Sequence, residues 1–149
     1  MDFRIGRAKA ANVVAVRWTG PWSEARIRRE LQGIGRWAKA EGLRTGRWFF
    51  LEPKNRTWEV AVEVAGRARP KGRMTRRRYA STSVAEVRFD PEAVSPRVIY
   101  HGLTDWLRWR RKDGTISRVG VYREVYADDP WKNPNAWHDT LVQVVVTKP

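Results

Sequence analysis

The chain has no cysteine. That excludes disulfides, a cysteine nucleophile and every thiolate metal site. Histidine is nearly missing as well. His101 and His138 are the only two, too few to assemble a histidine-built zinc site. No metal and no cofactor is expected. Acid is scarce: 16 aspartates and glutamates face 30 lysines and arginines, a formal net charge of +14. Such a field attracts anions, nucleic acid or acidic membrane, and it says nothing about fold. Long apolar runs are lacking too. Val13–Val16 is too short for the apolar core of a signal peptide. No stretch approaches the roughly 20 apolar residues of a membrane span. A soluble cytoplasmic protein with no membrane contact is expected.

Apolar residues, by contrast, are plentiful. Hydrophobic residues make up 42% of the chain and nine of them are tryptophan, which excludes a disordered polymer. A length of 149 residues suits one domain with its own core.

Residues 12–18, NVVAVRW, are apolar and β-branched and predict a strand. Thr19-Gly20-Pro21 ends it. Ser23-Glu24 reads as an N-cap and a first-turn acid. Ile27, Leu31, Ile34 and Ala38 then share one helical face, and Gly42 closes the helix. Strands follow over 47–52 and 57–64. In the second of these Trp58, Val60, Val62 and Val64 alternate with Glu59, Ala61 and Glu63.

Residues 67–78, RARPKGRMTRRR, hold seven basic residues and no acid. They read as a linker or an exposed hairpin extension. A strand is predicted over 82–89. Ser95-Pro96 opens a helix with Ile99, Leu103, Trp106 and Arg110 along one stripe, and Gly114 ends it. Strands over 119–126 and 140–147 flank a loop over 128–138.

The order is βαββ, basic linker, βαββ. Gly33 and Trp37 recur as Gly102 and Trp106 at an offset of 69 residues. After a short insertion Gly42, Phe50 and Glu52 recur as Gly114, Tyr122 and Glu124 at an offset of 72. The fold class expected is therefore α+β: two duplicated βαββ modules with antiparallel sheets, one helix each, and a central cleft between the halves. The modules span about 12–66 and 82–147, joined by the linker over 67–81, within a single domain.

Alternation places Tyr122, Glu124 and Tyr126 on one strand face. Trp48, Phe50 and Glu52 form the matching face of the first module. A carboxylate among aromatic rings suits a lipophilic cation, because ring faces attract positive charge and the carboxylate pairs with it. The same pattern also fits a glutamate paired with arginine on a solvated sheet face. Trp37, Trp106 and Trp58 read as core. Trp18, Trp22, Trp48, Trp131 and Trp137 lie at strand ends or in loops, where some can line a cleft.

The second half resembles the GyrI-like small-molecule-binding domain, also found as the effector-binding domain of AraC-type and MerR-type regulators. The residues that carry the resemblance are Gly102-Leu103-Thr104-Asp105-Trp106, Gly114, Arg123-Glu124-Val125-Tyr126 with Asp129-Pro130, and Thr140 to Val146. Val14–Trp18 with Gly20-Pro21-Trp22 resembles the family's opening strand and turn. The resemblance implies a tandem βαββ fold around a cleft that takes hydrophobic, often cationic compounds, with Glu124 facing the ligand. With Glu124 as the charge partner, the expected walls are Tyr122, Tyr126, Trp48 and Phe50 from the two strand faces, with Trp22, and Glu52 is the pseudo-symmetric second carboxylate. Two positions depart from the family pattern: Leu141 stands where a glutamate is common, and Asp90-Pro91-Glu92 replaces a glycine-aromatic turn. Regulators of this kind also carry a helix-turn-helix module. The strand pattern here begins by residue 13, so a freestanding binder is expected, with any regulator a separate chain.

Two further readings follow from the same resemblance. Some relatives hydrolyse electrophilic cyclopropane toxins, which would make Glu124 and Glu52 acid/base groups. No serine elbow or phosphate-binding glycine loop accompanies them, and binding is favoured over turnover. Others act on DNA gyrase. For that or for nucleic acid, the candidate contacts are Arg73, Arg76, Arg77 and Arg78 in the basic linker.

Overall fold

The computed structural model describes residues 2–149. Its elements are β1 (Arg4–Ala8), β2 (Ala11–Thr19), α1 (Glu24–Ala40), β3 (Arg44–Lys54), β4 (Thr57–Ala65), β5 (Thr75–Tyr79), β6 (Thr82–Phe89), α2 (Pro96–Lys112), β7 (Arg118–Tyr126), α3 (Pro134–His138) and β8 (Thr140–Thr147). The strands form one antiparallel sheet in the order β1-β6-β8-β7-β3-β4-β2-β5. The architecture is α+β, a duplicated βαββ plan with one long helix per half.

Local chemistry explains the helix ends. The Ser23 hydroxyl accepts the Arg26 N–H at 3.2 Å and caps α1. α2 starts on Pro96, whose fixed φ and missing N–H suit a first helical position. Gly42 and Gly114 follow the two helices with φ of +69° and +82°, a left-handed conformation that favours glycine.

Both helices cover the same sheet face. Ile27, Leu31, Ile34, Trp37 and Ala38 of α1 pack on β2, β3 and β4. Ile99, Leu103 and Leu107 of α2 pack on β6 and β8. The buried stripe of α2 thus runs through Leu107 rather than Trp106. Trp106 sits on the flank, 6.0 Å from the Phe3 ring and 5.1 Å from the Arg110 guanidinium.

The halves meet where β3 pairs with β7. Trp48 faces Tyr126, Phe50 faces Glu124, and Leu51 faces Arg123. Leu51 and Arg123 are matched positions of the repeat, 72 residues apart. Equivalent residues facing each other across an antiparallel seam indicate a local two-fold axis, which supports the duplication.

β1, β5 and α3 were not predicted, and two of them change the topology. β1 runs nearly straight into β2, and β5 into β6. Arg4 to Ala8 pairs with Glu86 to Thr82, and Ala11 to Ala15 pairs with Tyr79 to Thr75, in one uninterrupted register. Each half therefore lends its first strand to the other half. The second part of the basic stretch is one of these exchanged strands.

The face away from the helices is lined by small residues such as Ala15 and Ala61, together with Phe49 and Val125. Buried polar groups there are hydrogen-bonded, and Arg123 donates to Gln143. Glu59 accepts Arg17 at 2.7 Å, Arg77 at 3.4 Å and the Tyr79 hydroxyl at 2.6 Å. No helix among the described residues is long and apolar enough to cross a membrane.

Candidate ligand cleft

Alternation along β7 sends Glu124 and Tyr126 to the helix side and Arg123 and Val125 to the other. β3 places Phe50 beside Glu124. Above this seam, between α1 and α2, lies a cavity of about 300 Å³. Glu124, Tyr126 and Phe50 line it from the sheet, Ile27 and Leu31 from α1, and Pro96 from α2. Trp22, Trp131 and Trp137 reach it from the loops.

Glu124 is held by two phenols. Tyr100 of α2 donates to one carboxylate oxygen at 2.8 Å, and Tyr126 donates to the other at 2.5 Å. Burial and the adjacent carboxylate charge push both phenol pKa values upward. The two tyrosines therefore stay protonated and act as donors. Glu124 has no ion-pair partner among the described residues, whereas Glu59, Glu63 and Glu86 each hold an arginine. A partly buried carboxylate left without a cation is unusual in a chain with net charge +14.

α3 borders the cavity through Trp137. Asn133 caps this short helix through Asn135 N–H, and Pro134 opens it. The Trp137 ring stacks on Tyr126 with centroids 6.4 Å apart and planes 12° apart. Its indole N–H donates to Glu92 at 3.1 Å. His138 Nδ1 lies 2.8 Å from an Asp90 oxygen. These two links tie α3 to the turn after β6. Asp139 turns away and pairs with Arg88, so His138 and Asp139 form no dyad.

The residues singled out from sequence separate into groups. Glu124, Tyr126, Phe50 and Trp22 line one cavity. Tyr122 lies outside the cavity, partly buried beside α2, stacked on Tyr100 at 5.9 Å with its hydroxyl 3.1 Å from Thr104 Oγ1. Trp48 is buried under α1, where a Cβ at Gly35 would come within 3.0 Å of its ring. Glu52 is not brought to the cleft. The β3–β4 pairing shifts between Leu51 and Lys54, and the Glu52 carboxylate accepts Arg56 N–H in the hairpin turn. That bulge breaks the alternation that matched Glu52 to Glu124. Sequence reasoning missed Tyr100. It lies beside the Ile99–Leu103 stripe, and only the helix position above β7 brings it to Glu124.

In the basic stretch Arg73 is exposed. Arg76 donates to the Ala68 carbonyl, Arg77 pairs with Glu59, and Arg78 lies 3.4 Å from Asn12 Oδ1. Among the described residues no cluster of metal-ligating side chains occurs.

No known family pattern and no curated protein matches the chain. Solved structures do. The EcmrR C-terminal domain is 21% identical, with a TM-score of 0.77 over 99% of this chain and 98% of that one. In the longer EcmrR chain of a DNA complex, the match spans 58% of its length. SAV2435, solved bound to tetraphenylphosphonium, is 9% identical with a TM-score of 0.51, covering 99% and 94% of the two chains. A hydrolase encoded by lin2189 from Listeria innocua is 11% identical with a TM-score of 0.55, covering 97% and 91%. The chain has the fold of the GyrI-like small-molecule-binding domain.

Proposed function

We propose that this chain binds hydrophobic, cationic small molecules, which it holds in the cleft over the β3–β7 seam. The observation that carries the reading is Glu124: a partly buried carboxylate between two phenols, ringed by aromatics, with no cation of its own. A lipophilic cation supplies what the site lacks. Its charge offsets the carboxylate, and its apolar surface meets Phe50, Tyr126 and Trp137. Both carboxylate oxygens already accept a hydrogen bond, so attraction does not require a donor on the ligand. The SAV2435 complex with tetraphenylphosphonium shows that a protein of this fold takes such a cation. Sensing or sequestration follows from binding of this kind.

The test is a tryptophan-fluorescence titration with tetraphenylphosphonium and a neutral analogue, at low and high salt. The cation should bind more tightly than its analogue. Glu124→Gln should weaken it by tenfold or more, about 1.4 kcal/mol, in a protein that melts as before. Unchanged affinity in the folded variant rejects the assignment.

A second reading rests on the same carboxylate. Glu124 with the Tyr100 and Tyr126 hydroxyls forms a set of proton-transfer groups in a shielded cleft. A protein of this fold is a hydrolase. Incubation with cyclopropane-bearing electrophiles and mass spectrometry separates this reading from binding alone. Recovery of intact compound only, after long incubation, rejects it.

A further inference from the structure

The outer side of α1 carries a run of cations that the cleft does not use. Arg28, Arg36 and Lys39 project along one side of the helix, with Arg44 from the start of β3 and Lys132 from the loop after β7 opposite them. Together they border a shallow groove of about 500 Å³ beside Trp48 that continues into a second hollow beside Trp131. None of these five side chains makes an ion pair among the described residues, although ion pairs form elsewhere in the protein. The acids nearby do not neutralise them. The Asp129 carboxylate is consumed by the backbone N–H groups of Trp131 and Lys132 and by the Gln32 amide. Glu24 lies at the far end.

We propose that this groove is a track for a single-stranded phosphodiester backbone. Three features select a linear polyanion over a lone phosphate. The cations are strung along α1 rather than converged on one point. From Arg28 to Lys39 the helix extends roughly 16 Å, a few nucleotides of extended strand. The groove is open, with no enclosed seat for one anion. The aromatic ring favours a nucleic acid over an acidic peptide. Trp131 is only partly buried beside the track, with the Arg28 guanidinium 5.9 Å from its centroid. An indole and a guanidinium offer faces on which bases stack. The basic linker is the weaker candidate, because Arg76, Arg77 and Arg78 are each engaged within the protein.

The probe is a fluorescein-labelled oligothymidylate, read by anisotropy over a range of salt concentrations. The wild-type protein should bind with an affinity that falls steeply with salt. The variant Arg36→Gln/Lys39→Gln/Lys132→Gln should lose tenfold or more and flatten the salt slope by about 2, as three phosphate contacts disappear. The control Arg69→Gln/Lys71→Gln/Arg73→Gln removes equal charge from the linker and should lose less than threefold. Equal losses in both variants overturn the proposal, because they report net charge and not a track. So does wild-type protein that shows no salt-dependent binding. Poly-glutamate competing as well as the oligonucleotide also overturns it in favour of an acidic protein partner. Tripolyphosphate competing equally well assigns the groove to small anions instead. The exposed positions should leave the melting temperature unchanged. If the triple variant fails to fold, Lys39→Glu alone carries the same comparison.

Discussion

Tyr100 reaches across from α2 and donates its phenol to Glu124 at 2.8 Å, which ties the second helix to the seam strand. Replacing Tyr100 by Phe leaves the carboxylate with one phenol in place of two. A hydrogen bond to a charged group of this kind contributes about 1.5–3 kcal/mol. Tyr100→Phe should lower unfolding stability by that amount in urea melts. A loss under about 0.5 kcal/mol would mean that water replaces the hydroxyl.

The glycines of α1 give opposite expectations within one turn. A Cβ at Gly33 would meet only the tip of Arg36, at 3.9 Å. Gly33→Ala should therefore stabilise the protein by about 0.8–1 kcal/mol through helix propensity. A Cβ at Gly35 would press on the Trp48 ring at 3.0 and 3.1 Å. Trp48 is buried and cannot yield freely, so Gly35→Ala should destabilise by about 1–3 kcal/mol. Thermal melts of the two variants check the contrast.

The attachment of α3 to the turn after β6 should respond to pH. The Asp90 carboxylate, hydrogen-bonded to His138, raises the imidazole pKa above its ordinary value, with Glu92 adding to the effect. The same contact lowers the Asp90 pKa, helped by the Glu92 N–H. A raised imidazole contributes stability fully below its unfolded pKa of about 6.5 and loses it as pH rises through the folded value. A depressed carboxyl contributes above about 3.9 and loses it as pH falls. The link is strongest between these limits. Ligand dissociation from the cleft should accelerate as pH climbs through the raised imidazole pKa, and His138→Ala should abolish that dependence. A pH-independent off-rate in the wild-type protein would separate α3 from gating.

On the opposite sheet face Glu59 gathers Arg17, Arg77 and Tyr79. Glu59→Ala strands the Tyr79 hydroxyl in a buried site and leaves two guanidiniums without their acid. The expected loss, measurable by chemical denaturation, is about 1–3 kcal/mol, because the two arginines are partly exposed and water can solvate them. Tyr79→Phe should cost less, because the arginines remain on the carboxylate.

Elements with strong periodicity were legible in the sequence. β4 and β6 to β8 match their expected bounds to within a residue, and the buried face of α1 follows its stripe. β1 and β5 were not legible, because RIGRA and TRRRY show no apolar alternation to read. Their place in the sheet comes from pairing with each other's neighbours. α3 has five residues, too few for a helical period. Only the Asn133-Pro134 pair signalled it, as a cap followed by a first-position proline. Within the cleft, alternation was enough to group Glu124 with Tyr126. It was not enough for Glu52, where a bulge intervenes, or for Trp48, whose surroundings depend on a glycine in a distant helix. Tyr100 required the third dimension.

The reciprocal pairing of β1 with β6 and β5 with β2 has a consequence for how such a chain is put together. One module alone would present an unmatched arm and an unmatched seam strand. Two copies satisfy both at once by trading arms about a two-fold axis, the geometry of a strand-swapped homodimer. The tandem chain is that dimer made covalent. The connector over 66–74 replaces a concentration-dependent association with an intramolecular one of high effective concentration. Cutting the chain there should yield two halves that rejoin when mixed.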